Sequence, residues 1–475
     1  VMRRKRKNIK YMILFTIMLS ILLTSCVKMS DRGSRNNIEE GMLTPMENFY
    51  TFLPRTGNVK ALVFMVEFPD VKFEDGKLNE SERVLTAKEL EQALFGKEDE
   101  SSPNYPYESV RAYYERSSYN RLHFSGTVLS YQAKEERNSY DSYLHGEKKE
   151  ASNGYEKLMM EVIDSYKDQI DFSEYDANGD NILDAVYLSV PTNGSKEDET
   201  WWGNQSTWYN NKDYKVQGER ILHYVILDGQ PFDDNIEYYN QVWIHETGHL
   251  LGLPDYYHVS QVEGSDWEGF HGEAGYDIMD EMYGDHNSFS KLMCGWIPKK
   301  DIQVALASSG QNDYILKPYE EEPSVLIIPL EEWNDNYCSE YYLLEYQSGS
   351  GNNTGLLDEG GIRIWHVDAK LIESWWYSGY EMFAYDQNMT DSENTVLTLV
   401  GDERKDNFYR TGDYMDTEKE SIAVYHAITD SDEKAYPNDF SIRIGECTEN
   451  GYELKIVWKN GTLVKKRTSS LGKIA

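Results

Sequence analysis

The sequence predicts an α+β fold in two parts: a domain with a mixed sheet and helices, followed by an all-β sandwich. In residues 58–300, apolar runs typical of strands alternate with segments of helical periodicity. From residue 301 on, short alternating runs are separated by turn residues, and helical periodicity is absent. The length of 475 residues and the 40% apolar content are sufficient for two cores. We therefore predict domains at 58–300 and 301–475.

Residues 1–25 have the pattern of a lipoprotein signal peptide. Six basic residues precede the apolar run Tyr11 to Leu23, which is shorter than the roughly twenty residues that a membrane span needs. A small-residue site, Leu23-Thr24-Ser25, then precedes Cys26 and resembles the lipobox of bacterial lipoproteins. We expect cleavage before Cys26 and lipidation of that cysteine, which would hold the mature chain outside the cytoplasm on the bacterial cell membrane. A plain secretory signal with an incidental cysteine is the alternative.

The segment 26–57 is polar and mixed, which is typical of a tether between the lipid and a folded domain. A short inhibitory pro-segment is the alternative. The formal net charge is −35, and removal of residues 1–25, with six positive charges and no negative ones, leaves −41. Because so acidic a surface repels phosphate, we exclude nucleic acid as a partner.

Several elements of the first domain follow from periodicity. The continuous apolar run Ala61 to Phe68 is typical of a central strand buried on both faces. Helices are predicted at 81–95 and 155–166, and strands at 121–131, 185–190 and 222–227. Three tryptophans cluster after the predicted strand at 185–190 and either line a cleft or cap a core: Trp201, Trp202 and Trp208.

A loop before the strand at 185–190 carries oxygen-bearing side chains at alternate positions, as in loops that wrap a hard cation. The candidate calcium ligands are Asp176, Asn178, Asp180 and Asp184. The loop departs from the EF-hand pattern, since Asn181 replaces the glycine and Tyr187 replaces the glutamate. We predict a calcium site of another geometry. The alternative is a turn in which Asp and Asn side chains bond nearby backbone.

The most informative motif is His245-Glu246-Thr247-Gly248-His249. Two histidines four residues apart lie one helical turn apart on one face, so both imidazoles can reach one metal ion. Glu246 can reach a water on that metal. The apolar and aromatic segment 236–244 precedes the motif and predicts a mostly buried helix. The alternative is a helix with two histidines on its polar face.

The residues after the motif predict a third ligand. Gly252 stops the helix, because glycine tolerates the left-handed conformation of a helix end, and Pro254 prevents the helix from resuming. The chain therefore turns, and Asp255 can return to the metal. Two imidazoles and one carboxylate leave a tetrahedral position open for water, as in catalytic zinc sites.

These segments resemble the immune inhibitor A family of secreted bacterial zinc metallopeptidases, which is of the metzincin type. The resemblance covers about residues 58–460 and is carried by residues 61–70, 117–131, 172–190, 245–257, 276–280, 342–346 and 361–368. It implies a metzincin-like peptidase domain with three zinc ligands, His245, His249 and Asp255. Glu246 would be the general base. Two later acids compete with Asp255 for the third ligand: Asp277 and Asp280.

The resemblance also implies roles around the metal. Met279 would be the methionine of a tight turn beneath the zinc ligands, with Met282 the weaker candidate. From its position after that turn, we also expect Tyr283 to be a hydrogen-bond donor near the metal. The segment His366-Val367-Asp368 belongs to the family pattern. Strand-end hydrogen bonding or a second cation is its expected role.

The sequence thus predicts a lipid-anchored zinc metalloendopeptidase that acts on proteins or peptides as a monomer, with Zn²⁺ and a second metal, Ca²⁺. The strand at 222–227 would be the edge strand along which a peptide lies. Two alternatives stay open: a surface adhesion protein with an inactive metal site, and a zinc amidase acting on cell-wall peptides. Three cysteines are expected to be mostly buried free thiols: Cys294, Cys338 and Cys447.

Overall fold

The chain forms two compact units, which divide between Leu253 and Pro254. The computed structural model describes residues 53–77, 84–140, 154–191, 201, 203–208, 211–229, 237–257, 277–280, 282–330, 332–357, 359–373, 381–384, 395–400, 408–416 and 440–458. The predicted signal peptide, Cys26 and most of the tether lie outside these residues, and the predicted domain boundaries stay predictions. Within the described residues, no helix has the length and apolar character needed to cross a membrane.

A five-stranded mixed sheet forms the centre of the first unit. Its strands are β1 (Gly57–Glu67), β2 (Leu122–Gln132), β3 (Val186–Val190), β4 (Asn204–Thr207) and β5 (His223–Asp228). Their order is β2-β1-β3-β5-β4, and only β4 runs antiparallel to its neighbour. The prediction that residues 222–227 form the edge strand is therefore wrong, because β5 lies between β3 and β4. The short strand β4, which the sequence did not predict, ends the sheet.

The described helices of this unit are α1 (Ala87–Phe95), α2 (Val110–Ser117), α3 (Gly154–Tyr166) and α4 (Glu237–Leu250). Helix α1 begins six residues after the predicted position 81. A capping box explains that start, since Thr86 Oγ1 accepts from Glu89 N, and the Glu89 carboxylate accepts from Thr86 N. The predicted helix at 155–166 is confirmed by α3.

The core of the first unit lies between the sheet and α3. Ala61, Leu62, Val63 and Phe64 of β1 are all fully buried, as the continuous apolar run predicts. Apolar residues of α3 pack into the same cluster. Trp201 and Trp208 are also buried members of that cluster, so these two tryptophans complete a core, and Trp202 lies outside the described residues.

The second unit is built mainly of strands. Its strands are β6 (Ile302–Val304), β7 (Asp313–Leu316), β8 (Val325–Pro329), β9 (Glu340–Gln347), β10 (Gly361–Asp368), β11 (Leu371–Glu373), β12 (Glu381–Phe383), β13 (Leu397–Leu399), β14 (Tyr414–Asp416), β15 (Phe440–Thr448) and β16 (Gly451–Trp458). A short helix, α5 (Ser288–Met293), precedes them. Together with the first unit they make the fold a mixed α+β one.

These strands form a five-stranded sheet, β13-β10-β9-β8-β6, a four-stranded sheet, β14-β15-β16-β7, and a hairpin of β11 and β12. One buried cluster contains side chains from both larger sheets, among them Leu344 and Ile364 of the first and Ile442 and Ile456 of the second. The assignment of this part as an all-β sandwich stays a prediction. Of the three free cysteines, Cys294 is buried, but Cys447 is exposed, against the expectation.

Candidate metal centre

Helix α4 places the two motif histidines side by side. The ring centroids of His245 and His249 are 4.8 Å apart, with the ring planes at 89°. One ligand atom from each ring and one carboxylate oxygen of Asp255 all lie within 4.8 Å of one another. Among the His, Cys, Asp and Glu side chains that the structure describes, no other group of three gathers in this way.

The turn after α4 has the geometry that the glycine predicted. Gly252 has a φ of +84°, in the left-handed region. Its N–H donates to His249 O (2.9 Å), and Leu253 N donates to Gly248 O (3.0 Å). This pair of bonds is a Schellman motif, which ends the helix and reverses the chain. The reversal brings Asp255 to the two histidines.

The same turn orients the second histidine. His249 Nδ1 lies 3.0 Å from the carbonyl oxygen of Leu253. Because a carbonyl oxygen only accepts, Nδ1 carries the proton, and Nε2 is left with its lone pair. A backbone carbonyl on one ring nitrogen is the usual arrangement behind a metal-binding histidine.

Glu246 is buried on the same helix, next to the first histidine. The chain just before β4 passes close to it. A Cβ atom built on Gly203 would lie 4.0 Å from Glu246 Oε1 and 2.8 Å from Val242 Cγ1. A side chain at position 203 would thus crowd α4. The glutamate of the motif and the start of the edge strand are neighbours.

Buried hydroxyl groups make hydrogen bonds to α4 and within it. Tyr114 Oη donates to Ile244 O (2.7 Å), and Thr247 Oγ1 donates to Trp243 O (2.6 Å). Since the threonine proton is used there, the 2.9 Å contact between Tyr187 and Thr247 has the tyrosine as donor. Burial raises the pKa of Tyr187, and the nearby Glu246 carboxylate adds to that effect. Sequence reasoning missed both tyrosines, because nothing local marks them.

The two competing acids are not part of the group. Asp277 accepts from Met279 N at 2.6 Å and from Asn287 N at 2.7 Å, so its carboxylate closes a turn. Neither Asp277 nor Asp280 joins the histidines in the described residues, whereas Asp255 does. The geometry thus favours Asp255 as the third ligand.

Met279 is fully buried, and its carbonyl accepts from Tyr256 N at 2.9 Å. This bond ties the methionine turn to the residue that follows Asp255. Met279 therefore supports the loop that carries Asp255, whereas the roles expected for Met282 and Tyr283 stay predictions.

The predicted calcium loop is closed by its own side chains. The Asp176 carboxylate accepts from the backbone N–H groups of Gly179, Asp180 and Asn181 at 2.8 to 3.1 Å. Asp184 accepts from Ala177 N at 2.7 Å. Such bonds from Asp side chains to nearby backbone are typical of an Asx-rich turn, the alternative to a calcium site at this loop. They do not support the calcium prediction.

One acid that the sequence did not point to joins this loop. Glu219 is buried, and the charges of Asp176 and Asp180 add to burial in raising its pKa. Burial also raises the pKa of Asp184 to about 7, with contributions from Asp176, Asp180 and Glu219. Four carboxyl groups therefore repel one another here.

The segment around His366 lies on strand β10 of the second unit. His366 Nε2 lies 3.2 Å from Glu340 Oε1, and Glu340 is paired with Asp368 across β9 and β10. These contacts fit the predicted strand-end hydrogen bonding.

Residues 48–185 match the family model described as immune inhibitor A peptidase M6, catalytic domain. The match includes β1, β2 and α1 to α3, and it ends before the histidine motif. A search of the curated proteins found no match.

Proposed function

We propose that this chain, which belongs to the immune inhibitor A-like peptidases, is a zinc endopeptidase that hydrolyses peptide bonds in proteins. The family makes it a metallopeptidase, as the resemblance predicted. The observation that carries the finer proposal is the group of His245, His249 and Asp255, with Glu246 beside it. Because the motif lies outside the matched residues, its geometry supports the proposal independently.

The residues present fit zinc. Two imidazole nitrogens and one carboxylate oxygen are a common donor set of catalytic zinc sites, whereas calcium and magnesium prefer all-oxygen sites. His245, His249 and Asp255 would hold the ion. When bound, zinc acts as a Lewis acid and lowers the pKa of water to about 7.

Glu246 is the general base of the proposed reaction. It is buried beside the ligand group, so its carboxylate can take a proton from the attacking water and pass it to the leaving amine. The Nδ1–H bond of His249 to Leu253 O keeps the imidazole in the required tautomer.

Strand β4 is the element along which we propose that the substrate lies. It ends the sheet, and an extended peptide can add to such an edge through backbone hydrogen bonds. Gly203 places the start of this strand beside Glu246. A peptide paired with β4 would therefore pass the general base.

A Glu246→Gln variant tests the proposal, because the amide keeps the shape and removes the base. We expect zinc content equal to wild type and a loss of casein hydrolysis of at least about 100-fold, within the usual range for a general base. Activity retained by a zinc-loaded variant would refute the role of Glu246. Normal zinc binding with no hydrolysis by wild type would instead favour the adhesion protein or the cell-wall amidase, which a peptidoglycan-stem peptide substrate would separate.

Lipid attachment at Cys26 and a position outside the cytoplasm remain part of the proposal. They are supported by the basic leader, the short apolar run and the residues before the cysteine. A Cys26→Ser variant should leave the membrane fraction and appear in the soluble one. Equal membrane association of both forms would contradict lipidation.

A further inference from the structure

The segment that precedes β1 contacts the carboxyl end of the metal-binding helix. Leu53 N donates to Leu250 O at 3.0 Å, and Arg55 Nε donates to Leu251 O at 2.9 Å. Both side chains are buried, with 1% of Leu53 and 8% of Arg55 exposed. About two hundred residues of chain separate the donors from the acceptors.

These two bonds complete the end of α4. A helix leaves its last four carbonyls without intrahelical partners. Within the turn, Leu253 N donates to Gly248 O, and Gly252 N donates to His249 O. The carbonyls of Leu250 and Leu251 receive their donors from Leu53 and Arg55 instead.

The positions held in this way lie between two proposed zinc ligands. Leu250 and Leu251 directly follow His249, and the Schellman turn then leads to Asp255. The turn also carries the carbonyl of Leu253 that orients the His249 ring. A shift of Leu251 would thus move the third ligand and rotate the second. The positive guanidinium of Arg55 is also favourable at a helix carboxyl end.

We propose that Arg55 is a positioning residue of the metal centre, which fixes the turn between His249 and Asp255 from outside the helix. The inference rests on the proposed zinc site, but not on the substrate or on the hydrolysis. It also makes the residues just before β1 part of the site's scaffold, although they lie within the segment predicted as a tether.

The experiment measures zinc affinity in the full-length chain by competition with a chromophoric chelator, and the absorption spectrum of the Co²⁺-substituted protein. The variants are Arg55→Ala, Arg55→Lys and the matched control Arg116→Ala. Arg116 is also a largely buried arginine that bonds a backbone carbonyl, that of Pro106, and it pairs with Glu98 and Glu108.

We expect Arg55→Ala to weaken zinc binding by about 10-fold, the lower end of losses seen for groups that orient metal ligands. Its Co²⁺ spectrum should shift, because the ligand geometry changes. Arg55→Lys keeps a donor and should recover part of the affinity. Arg116→Ala should lower the melting temperature of the apoprotein while its zinc affinity stays within about 3-fold of wild type.

Wild-type zinc affinity and an unchanged Co²⁺ spectrum in Arg55→Ala would overturn the inference, even if the melting temperature falls. If Arg55→Ala does not fold, the same comparison is made with Arg55→Gln, which retains an amide donor on a shorter side chain. Failure of the proposed function has a different signature: wild type would bind zinc and hydrolyse no peptide, and the affinity difference for Arg55 would still be measurable.

Discussion

Gly203 offers the sharpest test of how the edge strand and the general base are arranged. A Cβ atom at this position would lie 2.8 Å from Val242 Cγ1 and 3.3 Å from Leu227 Cδ2. Carbon atoms pack best at about 3.5 to 4.0 Å. The Val242 and Leu227 side chains, or the backbone around them, must therefore shift by up to about 1 Å to accept Gly203→Ala.

A shift of that size has two expected consequences. Forcing an extra methyl group into a close contact costs about 1–3 kcal/mol of stability in well-packed regions. Misplacement of reacting groups by about 1 Å can lower the rate by about 100-fold. We expect Gly203→Ala to reduce kcat/KM on a peptide substrate by about 10- to 100-fold, while zinc affinity stays within about 3-fold, because no ligand lies at the contact.

The assay is hydrolysis of a fluorogenic peptide by zinc-loaded protein, with zinc affinity measured in parallel. Gly445→Ala is the control, since a Cβ atom there would lie 2.9 Å from Glu453 Cβ in the second unit. It should lose stability to a similar extent and keep its kcat/KM. Undiminished kcat/KM in Gly203→Ala would refute the proposed arrangement of β4 and Glu246.

Three further predictions concern buried polar groups. Burial raises the pKa of Glu320 to about 7, so the folded state binds this proton more tightly than the unfolded state. The contribution of Glu320 to stability should therefore be complete below pH 4.5 and fall by about 3 kcal/mol as the pH rises to 7. In urea titrations, Glu320→Gln should lose correspondingly less stability than wild type over this range. Equal pH profiles of the two proteins would show that the donors around Glu320 hold its carboxylate in the charged form. Lys291 and Asp285 form a buried ion pair with a distance of 2.7 Å between Nζ and Oδ2. Lys291→Met should therefore lower the free energy of unfolding by about 3–5 kcal/mol, because it leaves the Asp285 charge buried and unpaired. The double variant Lys291→Met with Asp285→Asn should lose clearly less than the sum of the two single losses. Tyr187→Phe removes a hydrogen bond to Thr247 and should cost about 1 kcal/mol by chemical denaturation, and no loss would show that the bond is not formed.

The sequence was sufficient for the parts of the site that depend on local geometry. Helical spacing predicted that His245 and His249 share a face, and Gly252 predicted the left-handed turn that returns Asp255. The buried strand β1 and helix α3 followed from periodicity in the same way. Each of these features depends on residues that are near one another in the sequence, so local patterns were enough to predict it.

What the sequence did not predict depends on contacts between distant segments. Strand β4 was missed because its four residues, Asn204–Thr207, are polar and half-buried and carry no strand pattern. Its place at the edge follows from the sheet order, which periodicity alone leaves open. The calcium loop shows the same limit, since alternate acidic residues suit both a cation and an Asx-rich turn.

The proposed ligands lie close together in the sequence, whereas the residues that hold them in place come from distant parts of the chain. All three proposed ligands lie within eleven consecutive residues, so a short peptide contains the whole donor set. The groups that bond to α4 and its end come from Arg55, Tyr114 and Tyr187, which lie on distant segments of the chain. Affinity for a metal gains from ligands that are held in place before binding, because less ordering is then required. Zinc binding should consequently report on the packing around α4 as well as on the motif that supplies the ligands.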